Sequence, residues 1–208
     1  MITVHHLDNS RSQRILWLLE ELGVAYEIVH HKRDAQTRLA PPALKAIHPL
    51  GKSPVIVDDG RTIAESGAII EYLARRHGGG ALSVAESDPA WIEYLHWMHF
   101  AEGSAMLPLM LALYTMRLGE AAAPLVPRIQ SEIANHLSYM NAALEGRDHL
   151  AANRFTAADI QNTFVLEAAN AGGRLGEYQN LARFLAAMQA RPAYGRAIEK
   201  GGPYTLGR

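Results

Sequence analysis

The stretch HPLGKSPVIVDDGRTIAESGAIIEYLARR, residues 48–76, predicts more of the fold than any other part of this 208-residue chain. Two short strand-like segments, 55–58 and 61–64, flank an Asp-Gly pair, which is typical of a tight β-hairpin turn. A helical pattern follows from Ser66 and ends before a run of three glycines. The stretch therefore predicts two antiparallel strands followed by a helix.

The residues before this stretch predict a strand, a helix and a second strand. Residues 2–7 begin with β-branched side chains, and residues 25–31 alternate apolar and polar side chains. Between them, apolar side chains recur at helical spacing from Ile15 to Leu22, and Gly23 stands where a left-handed helix cap is expected. A strand–helix–strand unit implies a parallel pair with a right-handed crossover, so this part predicts a thioredoxin-like mixed sheet.

The rest of the chain predicts helices alone. Asp88 and Pro89 are typical of a helix start, and Pro108 is expected to kink the long helix that follows. Thr156 and Asp159 form a capping-box pattern, which we assign to folding. Further helical patterns lie near 124–145, 156–171, 178–190 and 192–199. We predict an α/β thioredoxin-like domain at 1–78, a linker at 79–87 and an all-α helical bundle at 88–208.

The composition excludes several classes of protein. With 49% apolar and 20% charged residues, the chain has the profile of an ordinary globular protein, and its net charge of −1 gives no general attraction to nucleic acid or membranes. No apolar stretch reaches membrane-spanning length, and no secretory signal pattern opens the chain, so a cytoplasmic location is expected. The absence of Cys removes disulfides, thiolate ligands and any thiol nucleophile of the protein itself.

Residues 48–76 resemble the cytosolic glutathione transferases, in which an Asn/His-Pro-x-Gly-x-x-Pro segment precedes a hairpin and a Glu-Ser helix start. The segment SRSQRILWLLEELGVAYE, residues 10–27, is similar to bacterial and fungal members that use serine, and residues 155–160 are similar to the capping segment of the family's buried helix. The resemblance covers nearly the whole chain. It implies the two-domain fold of that family, glutathione as co-substrate, a homodimer and no metal.

The resemblance also assigns residues to glutathione. Pro54 is expected in the cis form, which lets the backbone of Ser53 pair with the cysteinyl part of glutathione as an added strand would. Ser66 and Glu65 are expected to hold the γ-glutamyl carboxylate and amine at a helix N-terminus, although Ser66 also fits a plain N-cap. Lys52 is expected at the glycyl carboxylate, and the alternative for it is a solvated surface charge.

Further candidates lie outside this group. Arg11 is expected to add positive potential at the glutathione site, with a surface or interdomain contact as the alternative. Residues 93–110 are expected to supply one wall of the pocket for the electrophile, and Glu102 to reach the glutathione amine of a partner subunit. His96 and His99 share a helix face with Glu102, but no ligand on a second helix is identifiable, so packing is favoured over metal binding.

Because glutathione brings its own thiol, a chain without Cys can still perform thiol chemistry. A hydroxyl at the start of the first helix need only donate a hydrogen bond, since a charge-assisted bond of about 1.5–3 kcal/mol lowers the thiol pKa by about one to two. Ser10 matches the family's catalytic serine and is our first prediction, followed by Ser12 and then Asn9. The pattern Ser10-x-x-Gln13 also fits a capping box, which would compete for the same hydroxyl.

The resemblance implies an enzyme of detoxification that joins the glutathione thiolate to apolar electrophilic small molecules. Reduction of organic hydroperoxides by the same thiolate is a second implied activity. The alternative is a protein of the same fold that binds or regulates without catalysis. The presence of the whole glutathione-binding set in this sequence favours the enzyme.

Overall fold

The computed structural model describes residues 1–206, which fall into two compact units. The first contains Met1–Ala85 together with residues from Met188 onward, and the second is Glu86–Ala187. The sequence predicted that residues after 188 belong to the helical domain, whereas they are grouped here with the first unit. The domain limits at 78 and 88 stay predictions.

A four-stranded mixed sheet lies at the centre of the first unit, in the strand order β2-β1-β3-β4. The first strand, β1 (Ile2–Leu7), is parallel to β2 (Tyr26–His31) and antiparallel to β3 (Val55–Asp58). The fourth strand, β4 (Arg61–Ala64), completes the hairpin with the bounds that the sequence predicted. The thioredoxin-like layout is confirmed.

Three helices follow the strands of this sheet: α1 (Ser12–Leu22), α2 (Ala43–Ile47) and α3 (Ser66–Arg76). The first ends at Gly23, whose φ of 65° gives the predicted left-handed cap. Their apolar faces are buried, because side chains three and four apart on a helix share one side. The fully buried apolar positions are Ile15, Leu16, Leu18, Leu19, Leu44, Ile69, Ile70, Leu73 and Ala74.

A further helix, α9 (Pro192–Gly201), packs against α1 within the first unit. Charged pairs line this contact: Arg191 donates to Glu21 at 2.6 Å, and Arg196 donates to Glu20 at 2.8 Å. These pairs fix α9 along the C-terminal half of α1. The residues after α9 therefore start from a fixed position beside α1.

The second unit is helical. Its elements are α4 (Trp91–Phe100), a π-helical turn (Ala101–Ala105), α5 (Met106–Thr115), a 3₁₀ segment (Met116–Ala122), α6 (Val126–Ala143), α7 (Ala157–Ala171) and most of α8 (Gln179–Gln189). This confirms the prediction of a helical C-terminal region. Among residues 1–206, no helix has both the length and the apolar character required to cross a membrane.

Two details of the helical region differ from the sequence prediction or refine it. The predicted N-cap at Asp88 is wrong, because α4 begins at Trp91 and Asp88 accepts the backbone N–H of Ala90 in the turn before it. The kink predicted at Pro108 lies close to a change of helix type, since Pro108 is in the first turn of α5, just after the π-helical turn. A widened turn accommodates a proline that lacks the N–H of a regular helix.

The capping box at the start of α7 is confirmed. Asp159 is fully buried and accepts the backbone N–H of Thr156 at 2.8 Å and that of Leu150 at 2.9 Å. One carboxylate therefore satisfies donors at the helix start and in the loop before it. This supports the assignment of these residues to folding.

Candidate active site

A buried pair of hydroxyls stands between β1 and α1. The oxygens of Ser10 and Ser12 lie 2.8 Å apart, and the two residues are 7% and 0% exposed. Ser10 Oγ also accepts the backbone N–H of Ser12. The predicted capping box between Ser10 and Gln13 is wrong, because Arg11 takes the N-cap position and α1 has no side-chain hydrogen bond at its cap.

The hydroxyl of Ser12 is fixed by β1. Its oxygen lies 2.9 Å from His6 Nδ1 and accepts the backbone N–H of Leu7 at 3.2 Å. Burial and the neighbouring His30 lower the pKa of His6 to about 4, so its ring is neutral at physiological pH. The ring also bonds the backbone of Gly201, which lies near Nε2; with the single proton on Nε2, Nδ1 is an acceptor.

The loop that carries Ser10 is held by two residues that are distant in sequence. Asn9 has a φ of 50°, and its Oδ1 accepts both the backbone N–H and the hydroxyl of Thr205, at 2.7 and 3.0 Å. Arg33 donates to the carbonyls of Asp8 and Asn9 at 2.9 and 3.0 Å. The sequence prediction missed Arg33 and Thr205, because neither belongs to a local motif.

Ser53 and Pro54 lie immediately before β3. Their peptide bond is cis, which confirms the prediction, and Pro54 is buried. The hydroxyl of Ser53 donates to the carbonyl of His5 at 2.9 Å, so it contacts the strand that leads to the Ser10 loop. The side chain of Lys52 is exposed.

A cation lies beside the start of α3. Glu65 occupies the N-cap position with a φ of 70°, so the alternative of Ser66 as N-cap is wrong. Ser66 is instead the first helical residue, and its hydroxyl accepts a hydrogen bond from Arg14 at 3.3 Å. Arg14 is only 2% exposed, and its charge adds to the positive end of the helix. Non-glycine residues at positive φ are uncommon and concentrate at ligand sites.

The remaining candidates are dispersed. Arg11 is half-buried at the start of α1, whereas Glu102 lies in the π-helical turn of the second unit. His96 bonds the hydroxyl of Tyr139 at 3.0 Å. Within the part of the chain that the structure describes, no group of three His, Cys, Asp or Glu residues could hold a metal.

An open cleft of about 440 Å³ in the second unit is lined by Ile92, Leu95, His96, His99, Phe100, Gly103 and Ser104.

Comparison with known proteins identifies the family. The family pattern "Glutathione S-transferase, N-terminal domain" matches residues 1–75, and "Glutathione S-transferase, C-terminal domain" matches residues 103–192. Glutathione S-transferase 3 of Schizosaccharomyces pombe is 39% identical over 99% of this chain and 90% of its own length. The chain belongs to the glutathione S-transferase family. The predicted family and enzyme class, a glutathione transferase, are therefore confirmed.

Two solved structures place the transferase among its relatives. The crystal structure of a glutathione S-transferase from Actinobacillus pleuropneumoniae is similar with a TM-score of 0.90 and 33% identity, covering 100% of this chain and 96% of that one. A sphingomonad glutathione S-transferase, solved in complex with glutathione, has a TM-score of 0.79 and 25% identity, covering 96% and 98%. Both support the fold described above.

Proposed function

We propose that this transferase joins the thiolate of glutathione to apolar electrophilic small molecules, and that the Ser10 hydroxyl donates a hydrogen bond to the thiolate. One observation carries the proposal. It is the buried hydrogen-bond chain from Ser10 through Ser12 to His6, with distances of 2.8 and 2.9 Å. Family membership supplies the reaction class, and this chain of groups supplies the candidate donor.

The hydrogen-bond chain has a direction because each hydroxyl has one proton. His6 holds its proton on Nε2, facing Gly201, so its Nδ1 takes the proton of Ser12. The hydroxyl oxygen of Ser12 then accepts a hydrogen bond from the hydroxyl of Ser10. The Ser10 proton is the one that can turn from Ser12 Oγ to a sulfur anion.

Energetics favour stabilisation of the thiolate over proton transfer to His6. With the pKa of His6 at about 4 and that of a free thiol at about 8.5, transfer to the ring is unfavourable by about 6 kcal/mol. A hydrogen bond from Ser10 contributes about 1.5–3 kcal/mol, which lowers the thiol pKa by about one to two. The thiol proton therefore leaves to water. The thiolate sulfur then bonds the electrophilic carbon, and a leaving group departs with its electron pair.

The same proposal includes a binding mode for glutathione. The buried cation of Arg14 beside Ser66 and the positive helix end favour the γ-glutamyl carboxylate there, with Glu65 at the amine. The backbone of Ser53, before the cis proline, is suited to the cysteinyl part. Lys52 is proposed at the glycyl carboxylate. The sphingomonad relative, solved with glutathione, supports this choice of co-substrate.

The experiment that tests the function has two parts. The protein is first applied to immobilised glutathione, and eluted protein is then assayed for conjugation of glutathione with a chlorinated aromatic compound. We expect retention on the resin and turnover that depends on glutathione. Retention without turnover would favour the alternative, a binding or regulatory protein of the same fold.

The choice of an apolar acceptor rests on the resemblance and on the second unit. Ile92, Leu95 and Phe100 give its open cleft an apolar lining, which suits an apolar small molecule. A series of electrophiles of increasing alkyl length measures this preference, and kcat/KM should rise with apolar area. The second implied activity, reduction of organic hydroperoxides, is measured with the same protein by oxidation of glutathione.

The assembly stays part of the proposal. We expect a homodimer in which Glu102 reaches the glutathione amine of the partner subunit. We also expect Arg11 to add positive potential at the thiolate. Sedimentation measures the mass of the particle, and Glu102→Gln should raise the KM for glutathione if the dimer shares its sites. A cytoplasmic location is tested by fractionation of the source cells.

A further inference from the structure

We propose that the 201–206 segment, which begins with the last residue of α9, is a positioning element for the Ser10 loop. It contacts that loop at Asn9 and contacts the hydrogen-bond chain behind it at His6. The inference rests on the proposed function, because the loop matters to catalysis through the hydroxyl of Ser10. It assigns Asn9 to positioning and not to contact with the sulfur.

The first contact joins Thr205 to Asn9. The backbone N–H and the hydroxyl of Thr205 both donate to Asn9 Oδ1, at 2.7 and 3.0 Å. Two donors on one oxygen fix the side-chain orientation of Asn9, whose backbone is in the left-handed region. Because Asn9 immediately precedes Ser10, its backbone conformation sets the direction in which the chain enters Ser10.

The second contact is a close approach of Gly201. A Cβ at Gly201 would lie 2.9 Å from Gln13 Oε1, 2.9 Å from Leu16 Cδ1 and 3.3 Å from His6 Nε2. A side chain at this position would require the side chains of Gln13 and Leu16 to move. The backbone of Gly201 can therefore reach the His6 ring, and that bond sets which ring nitrogen carries the proton.

The 201–206 segment is itself fixed, so it can act as a support. Tyr204 is only 6% exposed, and the ion pairs from Arg191 and Arg196 hold α9 against α1. On the other flank of the loop, Arg33 donates to two successive carbonyls. Thr205 thus holds the loop through the side chain of Asn9, and Arg33 holds it through the backbone.

Two variants of Thr205 test the proposal. Thr205→Pro removes both donors to Asn9, and Thr205→Val removes the hydroxyl alone. We expect Thr205→Pro to lower kcat about tenfold and to raise the pKa of bound glutathione, with the KM for glutathione nearly unchanged, and Thr205→Val to lie between it and wild type. The matched control is Thr62→Val, a change at an exposed residue of β4, which should leave kcat at the wild-type value.

A double variant distinguishes positioning from direct contact. Asn9→Gly keeps the left-handed backbone accessible but removes the amide. If Asn9 acts through Thr205, adding Asn9→Gly to Thr205→Pro lowers kcat no further than either change alone. If Asn9→Gly lowers kcat while both Thr205 variants match wild type, Asn9 acts on the sulfur itself and the proposal is wrong.

A substrate-free measurement separates this inference from the proposed function. Amide hydrogen exchange at Ser10 and Ser12 should become faster in Thr205→Pro and stay unchanged in Thr62→Val. Unchanged exchange in Thr205→Pro overturns the inference even if the enzyme conjugates glutathione. A wild-type protein without conjugation activity contradicts the proposed function, whereas the exchange result still decides the role of the segment.

Discussion

Ser12 and His6 share a buried hydrogen bond of 2.9 Å between the hydroxyl oxygen and Nδ1. With the ring neutral and its proton on Nε2, toward Gly201, this bond takes the hydroxyl proton of Ser12. The neighbouring Ser10 keeps its proton available for another acceptor. We therefore propose different roles for two hydroxyls that the sequence alone leaves as alternatives.

Ser10→Ala should impair catalysis and leave binding of glutathione almost intact. Loss of one hydrogen bond to a charged sulfur raises the pKa of the bound thiol by about one to two and lowers kcat at neutral pH by about 10- to 100-fold. Ultraviolet absorbance of the thiolate, followed as a function of pH, measures the pKa. Steady-state kinetics separates kcat from KM.

Ser12→Ala should act mainly on stability. It leaves the buried Nδ1 of His6 without its hydroxyl donor, which costs about 1–3 kcal/mol of the free energy of unfolding. Urea denaturation measures this loss. If Ser12→Ala raises the bound thiol pKa more than Ser10→Ala does, the assignment of the two serines is reversed.

Ser66→Ala should weaken binding of glutathione and leave kcat nearly unchanged. A hydrogen bond to a carboxylate is worth about 1.5–3 kcal/mol, so the KM for glutathione should rise about 10- to 100-fold. Ser131→Ala, at an exposed position of α6, is the control and should keep the wild-type KM. An unchanged KM in Ser66→Ala would remove the γ-glutamyl carboxylate from this helix end.

The fold could be predicted where local sequence determines the backbone. The Asp-Gly turn placed β3 and β4 correctly, since few other residue pairs suit that turn. Gly23 likewise predicted the cap of α1, because a left-handed residue there favours glycine. The prediction of a helix start at Asp88 was wrong, because an Asp-Pro pair also occurs in turns. Here Asp88 lies in the turn before α4, which begins at Trp91.

The supports of the candidate site could not be predicted. Thr205 lies 196 positions from Asn9 in the sequence, and its contact depends on how α9 packs against α1. Arg33 looks like any surface cation until the loop carbonyls are in place. The sequence offers candidates for chemical roles through a family motif, but it gives no local pattern for residues that act through packing.

His6→Gln should flatten the dependence of stability on pH. Burial lowers the pKa of His6 from 6.5 to about 4, so the unfolded chain binds this proton more readily than the folded one. Above pH 6.5 this difference in proton binding does not reduce the free energy of unfolding. As the pH decreases to 4, it lowers the free energy of unfolding by about 3 kcal/mol. The free energy of unfolding, measured across this range, should fall less steeply in His6→Gln.

The control for this change is His99→Gln, at an exposed position of α4, which should keep the wild-type slope. His5 and His31 also have lowered pKa values because of burial, so part of the slope will remain in His6→Gln. Equal slopes in His6→Gln and wild type would show that the pKa of His6 is the same in the folded and unfolded chains, which contradicts the lowered value on which the neutral ring rests.

Tyr72→Phe should destabilise the first unit through Asp58. This carboxylate is 1% exposed and accepts hydrogen bonds from the Tyr72 hydroxyl at 2.8 Å and from His77 Nε2 at 2.6 Å. Burial acts to raise the pKa of Asp58, but the bonds from His77 and Tyr72 outweigh it and hold the pKa below its usual value. The cluster thus stabilises the fold above about pH 4 and loses that contribution as the pH falls further.

Removing the hydroxyl should lower the free energy of unfolding at pH 7 by about 1.5–3 kcal/mol, the value of a bond to a charged acceptor. The difference between Tyr72→Phe and wild type should shrink below pH 4, because the protonated carboxyl is a weaker acceptor. Tyr114→Phe, at an exposed tyrosine of α5, is the comparison and should show no such pH dependence. A constant difference at all pH values would mean that Asp58 stays ionised, or that the bond contributes little.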